Sequence, residues 1–141
     1  MLTRKGNSSA KNGAKRPLKL MIVDDSNIMR RRIERSQQLE QLELVGTAAD
    51  GEAALELFKK TDPDVVTMDI TMPRMDGIEC IARLVALKPA IRILVVSALA
   101  DKATAVEAME RGANGFLNKP FTDRQLTEAI AELVRSRAQE G

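Results

Sequence analysis

From Leu18 onward, short apolar runs alternate with segments whose apolar residues recur at helical spacing, the pattern of successive βα units and a parallel sheet. Strands are predicted at 19–23 (KLMIV), 42–49 (LELVGTAA), 64–68 (DVVTM), 91–96 (IRILVV) and 115–118 (GFLN). Runs as continuously apolar as ILVV suit strands buried on both faces. Helices are predicted to begin near Ser26, Gly51, Asp76, Asp101 and Asp123. Ser26 and Asp123 are placed to cap, Pro63 and Pro89 to stop the second and third helices, and Gly112 and Gly115 to end the fourth. Five strands and five helices joined by right-handed crossovers make a doubly wound α/β sheet, covered by helices on both faces. Such sheets bind ligands outside the carboxyl ends of their strands.

Composition narrows the chemistry available at that edge. The 141 residues are 44% hydrophobic and 30% charged, as expected of one compact domain, residues 18–141, with no room for a separate output or DNA-binding domain. No apolar run approaches the ~20 residues of a bilayer span, and no apolar signal core follows the N-terminus. The expectation is a soluble, cytoplasmic protein. Histidine is absent and Cys80 is the single cysteine, so there is no internal disulfide and any metal must be held by oxygen. Only Phe58, Phe116 and Phe121 are aromatic, which argues against ligand recognition by stacking. The net charge of +2 hides an asymmetry, because residues 1–17 hold Arg4, Lys5, Lys11, Lys15 and Arg16 and no acid. Setting those five aside leaves 17 bases against 20 acids. This leader has almost nothing to bury and is expected to be a disordered, solvated basic segment.

The residues just beyond the apolar runs are Asp24 and Asp25 after the first, Asp69 after the third, Ser97 after the fourth and Lys119 after the fifth. Each alone reads as a cap, a turn or a solvated charge. Together they put three carboxylates, a hydroxyl and an ammonium on one sheet edge. Carboxylates in one pocket raise each other's pKa unless a cation neutralises them. An all-oxygen site of this kind suits Mg²⁺, or Mn²⁺, and leaves coordination positions open to a phosphate. There is no GxxxxGK[ST] or GxGxxG cradle for a nucleotide. An aspartate can itself attack phosphorus, with a metal and a lysine balancing the equatorial oxygens; Asp69 is the best-placed nucleophile.

The motifs DD (24–25), MDITMPRMDG (68–77), Ser97 and KP (119–120) resemble, in order and spacing, the receiver domain of bacterial response regulators, and most of all stand-alone receivers of the CheY type. The resemblance spans residue 18 to about residue 136. It implies a flavodoxin-like (βα)5 sheet of order 2-1-3-4-5. It further implies that Asp69 accepts a phosphoryl group from a histidine kinase, and that Asp24, Asp25, Asp69 and the carbonyl of Thr71 hold Mg²⁺. Lys119 and Ser97 would contact the phosphoryl oxygens, with a cis peptide before Pro120. Phe116 would turn inward as Ser97 moves, altering the surface of the fourth helix, fifth strand and fifth helix. The implied partners are the kinase and a downstream protein, either a flagellar motor switch or a histidine phosphotransfer protein, met by a monomer without direct DNA binding. Two positions depart from the pattern. Phe116 stands where many chemotaxis regulators carry tyrosine, and Leu99 places a large apolar group where water access to the acyl phosphate is governed, implying slow self-hydrolysis.

Two other functions compete. An aspartyl-phosphate phosphatase or mutase resembles DxDx[TV], but Thr71 stands where its second acid belongs, and a cap insertion is missing. A flavin carrier would need a hydroxyl- or glycine-rich loop after the first strand, where Asp24 and Asp25 would instead repel a phosphate. Arg30, Arg31 and Arg32 read as a solvated helix face. Met21, Met29, Met68, Met72, Met75 and Met109 read as gap-fillers, and Cys80 as a small hydrophobe. Lys102, Glu107, Arg111 and Gln125 are the side chains expected to set partner choice.

Overall fold

The structure is a computed structural model that describes residues 17–36, 39, 41–70, 77–98 and 102–140, without the side chains of 136–140. The leader, Pro17 apart, therefore lies outside the described residues, as do Thr71, Met72, Met75 and Leu99. Five strands alternate with five helices: β1 (Leu18–Val23), α1 (Asn27–Ser36), β2 (Leu42–Ala48), α2 (Gly51–Thr61), β3 (Val65–Met68), α3 (Gly77–Leu87), β4 (Arg92–Ser97), α4 (Lys102–Glu110), β5 (Gly115–Asn118) and α5 (Asp123–Glu140). All strand pairs are parallel, in the order β2-β1-β3-β4-β5. This is the 2-1-3-4-5 order that the resemblance implied. The chain reverses direction across the sheet between β1 and β3, the switch point at which such sheets open a crevice.

Strand alternation sorts the core into two layers. Met21, Val23, Val66, Met68, Ile93 and Val95 face one side, against Ala54 and Phe58 of α2, Cys80, Ile81 and Leu84 of α3, and Ala108 of α4. Leu20, Ile22, Val65, Leu94 and Val96 face the other, against Ile33 of α1 and Leu126, Ile130 and Leu133 of α5. Each fully buried Leu or Ile contributes about 2 kcal/mol of transfer free energy. Cys80 and two methionines, Met21 and Met68, belong to this core as expected, but Met109 is 43% exposed on α4.

Several boundaries differ from the predicted ones for local reasons. Ser26 does cap α1, its Oγ accepting the Met29 N–H at 3.1 Å. At α5 the cap is Thr122 and not Asp123: the Gln125 N–H donates to Thr122 Oγ1 at 3.0 Å, and the Thr122 N–H donates to Gln125 Oε1 at 2.8 Å. That reciprocal box satisfies two otherwise orphaned donors, and it leaves Asp123 in the first turn, where the helix dipole favours an acid. It also engages Gln125, which was expected to meet a partner. Helix α2 ends before Pro63, at Asp62, which adopts a left-handed φ of 51° and donates its N–H to the Phe58 carbonyl. Gly112, with φ 119°, closes α4, whereas Gly115 is already the first residue of β5, paired with Leu94.

The amino edge of the sheet is tied by charge. Asp64 is fully buried and accepts the Lys19 N–H at 2.9 Å. Lys88 Nζ lies 3.6 Å from Asp64 Oδ1 and donates to the Pro63 carbonyl at 2.8 Å and Asp62 Oδ1 at 3.0 Å. Lys19 Nζ donates to the Thr61 carbonyl at 3.1 Å. Lys88→Met withdraws a cation from a buried carboxylate, so urea denaturation is expected to show a loss of about 1–3 kcal/mol; an unchanged midpoint would remove Asp64 and Lys88 from the list of stabilising contacts.

Candidate active site at the carboxyl edge of the sheet

Parallel register brings distant residues level. Val23 of β1 pairs with Met68 of β3, so the next residues, Asp24 and Asp69, leave the sheet side by side. Ser97 ends β4 opposite Asn118 of β5, and Lys119 follows directly, its N–H donating to the Ser97 carbonyl at 2.9 Å. The backbone N–H groups of Asp24 and Asp69 donate to the carbonyls of Ala48 and Val23, at 3.0 and 2.9 Å. Both acids therefore have fixed backbones.

Asp24, Asp69 and Ser97 are buried, whereas Asp25 is exposed at the rim. One carboxylate oxygen from each of Asp24, Asp25 and Asp69 lies within 4.8 Å of the others. Lys119 Nζ donates to Asp24 Oδ2 at 2.8 Å and stands 3.6 Å from Asp69 Oδ2. The Ser26 N–H donates to Asp24 Oδ1 at 2.9 Å. Burial nevertheless pushes the Asp24 carboxyl above its usual range, against the pull of Lys119 and the Ser26 N–H and with a small push from Asp69. The donor set, three carboxylates and no imidazole or thiolate, fits a hard divalent cation, and the cost of burying the ionised Asp24 carboxylate is what such a charge would relieve. Phe116 stands apart from this group: level with Val95 in the sheet, it is half-buried against the core layer that includes Ala108 of α4. The peptide between Lys119 and Pro120 is cis, as implied.

Two features escaped the sequence reading. The arginine run on α1 is not simply solvated: Arg30 Nη1 donates to the Asp24 carbonyl at 2.7 Å, and the Arg32 guanidinium lies over the Phe121 ring, 4.3 Å from its centroid. A helix starting at a site strand puts its first turns within reach of that site, a signal that sequence offers only after the fold is known. The second is Gly77, where a Cβ would sit 2.5 Å from the Asp69 carbonyl and 2.4 Å from Ile70 Cα. Only glycine lets α3 start against the backbone of the site.

The profile described as Response regulator receiver domain matches residues 20–131. The chain belongs to this family. The receiver is 36% identical over 118 residues to the chemotaxis protein CheY of Listeria monocytogenes, covering 84% of this chain and 99% of that protein. It is 38% identical over 117 residues to CheY of Thermotoga maritima, covering 83% and 98%. Among solved structures, a chain of the CheX-CheY-BeF3-Mg complex from Borrelia burgdorferi superposes with a TM-score of 0.82 at 29% identity, covering 88% of this chain and 94% of that one. The protein is thus a receiver of two-component signalling with chemotaxis relatives. Among the described residues, no helix is long and apolar enough to cross a membrane.

Two expectations follow from the geometry. A raised folded-state pKa means that, without metal, the native state binds its proton more tightly than the unfolded chain, so stability falls as pH rises from the ordinary carboxylate value through the raised one. Metal-free Asp24→Asn at neutral pH is therefore expected to melt a few degrees above wild type, with the gap closing in acid; a variant that melts lower would show that the Lys119 ion pair outweighs the burial. Gly77→Ala forces backbone to move, and equilibrium unfolding is expected to show a loss of about 1–3 kcal/mol.

Proposed function

We propose that this receiver is a phosphorylation switch: Asp69 accepts a phosphoryl group from the phosphohistidine of a histidine kinase, and the face of α4, β5 and α5 changes its affinity for a downstream protein, in control of chemotaxis or motility. The observation that carries the reading is the juxtaposition of the Asp69 and Asp24 carboxylates with one ammonium, 3.6 and 2.8 Å away, beside a third carboxylate. Asp24, Asp25 and Asp69 would hold Mg²⁺, or Mn²⁺, together with the Thr71 carbonyl implied by the family. The bound ion supplies positive charge against the phosphoryl oxygens.

The residues divide the work. The Asp69 carboxylate attacks phosphorus in line, the new O–P bond forming as the N–P bond to the kinase imidazole breaks, with the electron pair leaving on that nitrogen. Lys119 transfers its hydrogen bond from the Asp24 carboxylate to a phosphoryl oxygen, which offsets the added negative charge. The Ser97 hydroxyl donates to another, and Phe116, only half-buried before the reaction, moves toward the space that Ser97 leaves. This differential contact biases two conformations by about 1–3 kcal/mol. Lys102 and Glu107 on the responding helix and Arg111 just after it are all exposed and would set partner choice. Such a switch acts in the cytoplasm as a monomer and catalyses only its own phosphorylation and dephosphorylation.

The test uses acetyl phosphate and Mg²⁺, read by intact mass because the chain has no tryptophan. One phosphoryl group is expected, abolished by EDTA and by Asp69→Ala. Turnover of phosphate esters without a stable adduct would favour the phosphatase reading, and no reaction at all would leave a binding module independent of phosphorylation.

A further inference from the structure

Lys119 faces the two buried acids from a short loop, and that loop is anchored at both ends. On one side the Lys119 N–H donates to the Ser97 carbonyl of β4 at 2.9 Å. On the other, two residues on, Phe121 is 4% exposed, its side chain packed with Ile33, Leu126 and Ile130. Arg32 of α1 grips this residue twice. Its guanidinium stacks over the ring at 4.3 Å, and its Nη2 donates to the Phe121 carbonyl. The same nitrogen lies 3.5 Å from Asp123 Oδ1, at the start of α5. Two residues earlier on α1, Arg30 holds the Asp24 carbonyl. One helix thus carries the backbone of the acid and the loop of the lysine that pairs with it.

We propose that Arg32 is a positioning residue for Lys119, setting where the ammonium meets a phosphoryl group on Asp69; the inference rests on the switch reading above. The flat guanidinium lies over the ring and donates from its edge in a fixed geometry that the point charge of a lysine ammonium does not reproduce, so charge alone replaces it only in part. Displacement of a reacting group by about 1 Å from a distance can cost up to ~10²-fold in rate. Arg32 contacts Phe121 and Asp123 and no metal-binding carboxylate, so its replacement takes no ligand from the cation.

The experiment compares the full chain with Arg32→Met and Arg32→Lys. Calorimetry measures the Kd for Mg²⁺ alone and then for beryllofluoride at saturating Mg²⁺, and intact mass follows labelling by acetyl phosphate. The expected result is undiminished Mg²⁺ affinity in both variants, with beryllofluoride affinity and labelling rate reduced about tenfold in Arg32→Met and less in Arg32→Lys. Beryllofluoride binding and labelling at wild-type levels in both variants would overturn the proposal. So would a parallel loss of Mg²⁺ affinity, which would make Arg32 a merely structural contact. If Arg32→Met does not fold, Arg32→Lys carries the same two outcomes. A wild-type chain that neither binds beryllofluoride nor is labelled would instead refute the switch reading itself.

Discussion

Two carboxylates held at the end of an apolar sheet repel each other, and the Lys119 ammonium, 2.8 Å from Asp24 and 3.6 Å from Asp69, is the described cation that lets them share the position. One charge against two buried acids and a third at the rim leaves the site short of positive charge, and burial, more than repulsion from Asp69, holds the Asp24 carboxyl above its ordinary range. The site is therefore polarised toward an incoming cation. Much of the surrounding structure keeps that arrangement from relaxing: backbone hydrogen bonds fix both acids, Gly77 brings α3 against Asp69, and two arginines of α1 hold the loops on either side.

The opposite edge of the same sheet holds a second buried acid with a comparable set of partners. Asp64 is as deeply buried as Asp24 and, like it, accepts a backbone N–H and has a lysine beside it, but the other acid that shares Lys88 is the exposed Asp62, whereas the one that shares Lys119 is the buried Asp69. The two edges thus differ in the second acid that each lysine must also face, solvated at one and buried at the other.

The receiver fold gives this electrostatic arrangement its consequence. Ser97 and Phe116 lie on adjacent strands, one buried at the site and the other half-buried toward α4. In the proposed switch, a group added to Asp69 would be felt at a face that touches neither acid, through a sheet too closely packed to deform gradually.

By itself the sequence determined the alternation of strands and helices, because period-2 and period-3.6 patterns are local, and the candidate residues, because polar groups directly after apolar runs must leave the sheet together. The family motifs added the strand order and the cis peptide. What only the tertiary structure decided were the contacts between distant segments. Parallel register set Asp24 level with Asp69, a reciprocal hydrogen bond chose Thr122 over Asp123 as the cap of α5, and Arg32 met Phe121 across 89 positions of chain. Arg30, Arg31 and Arg32 look alike in sequence, since a charged residue on a helix declares neither its face nor its neighbour until the helix is docked. The same holds for Gly77, whose missing Cβ has meaning only once α3 rests against the backbone it would otherwise strike.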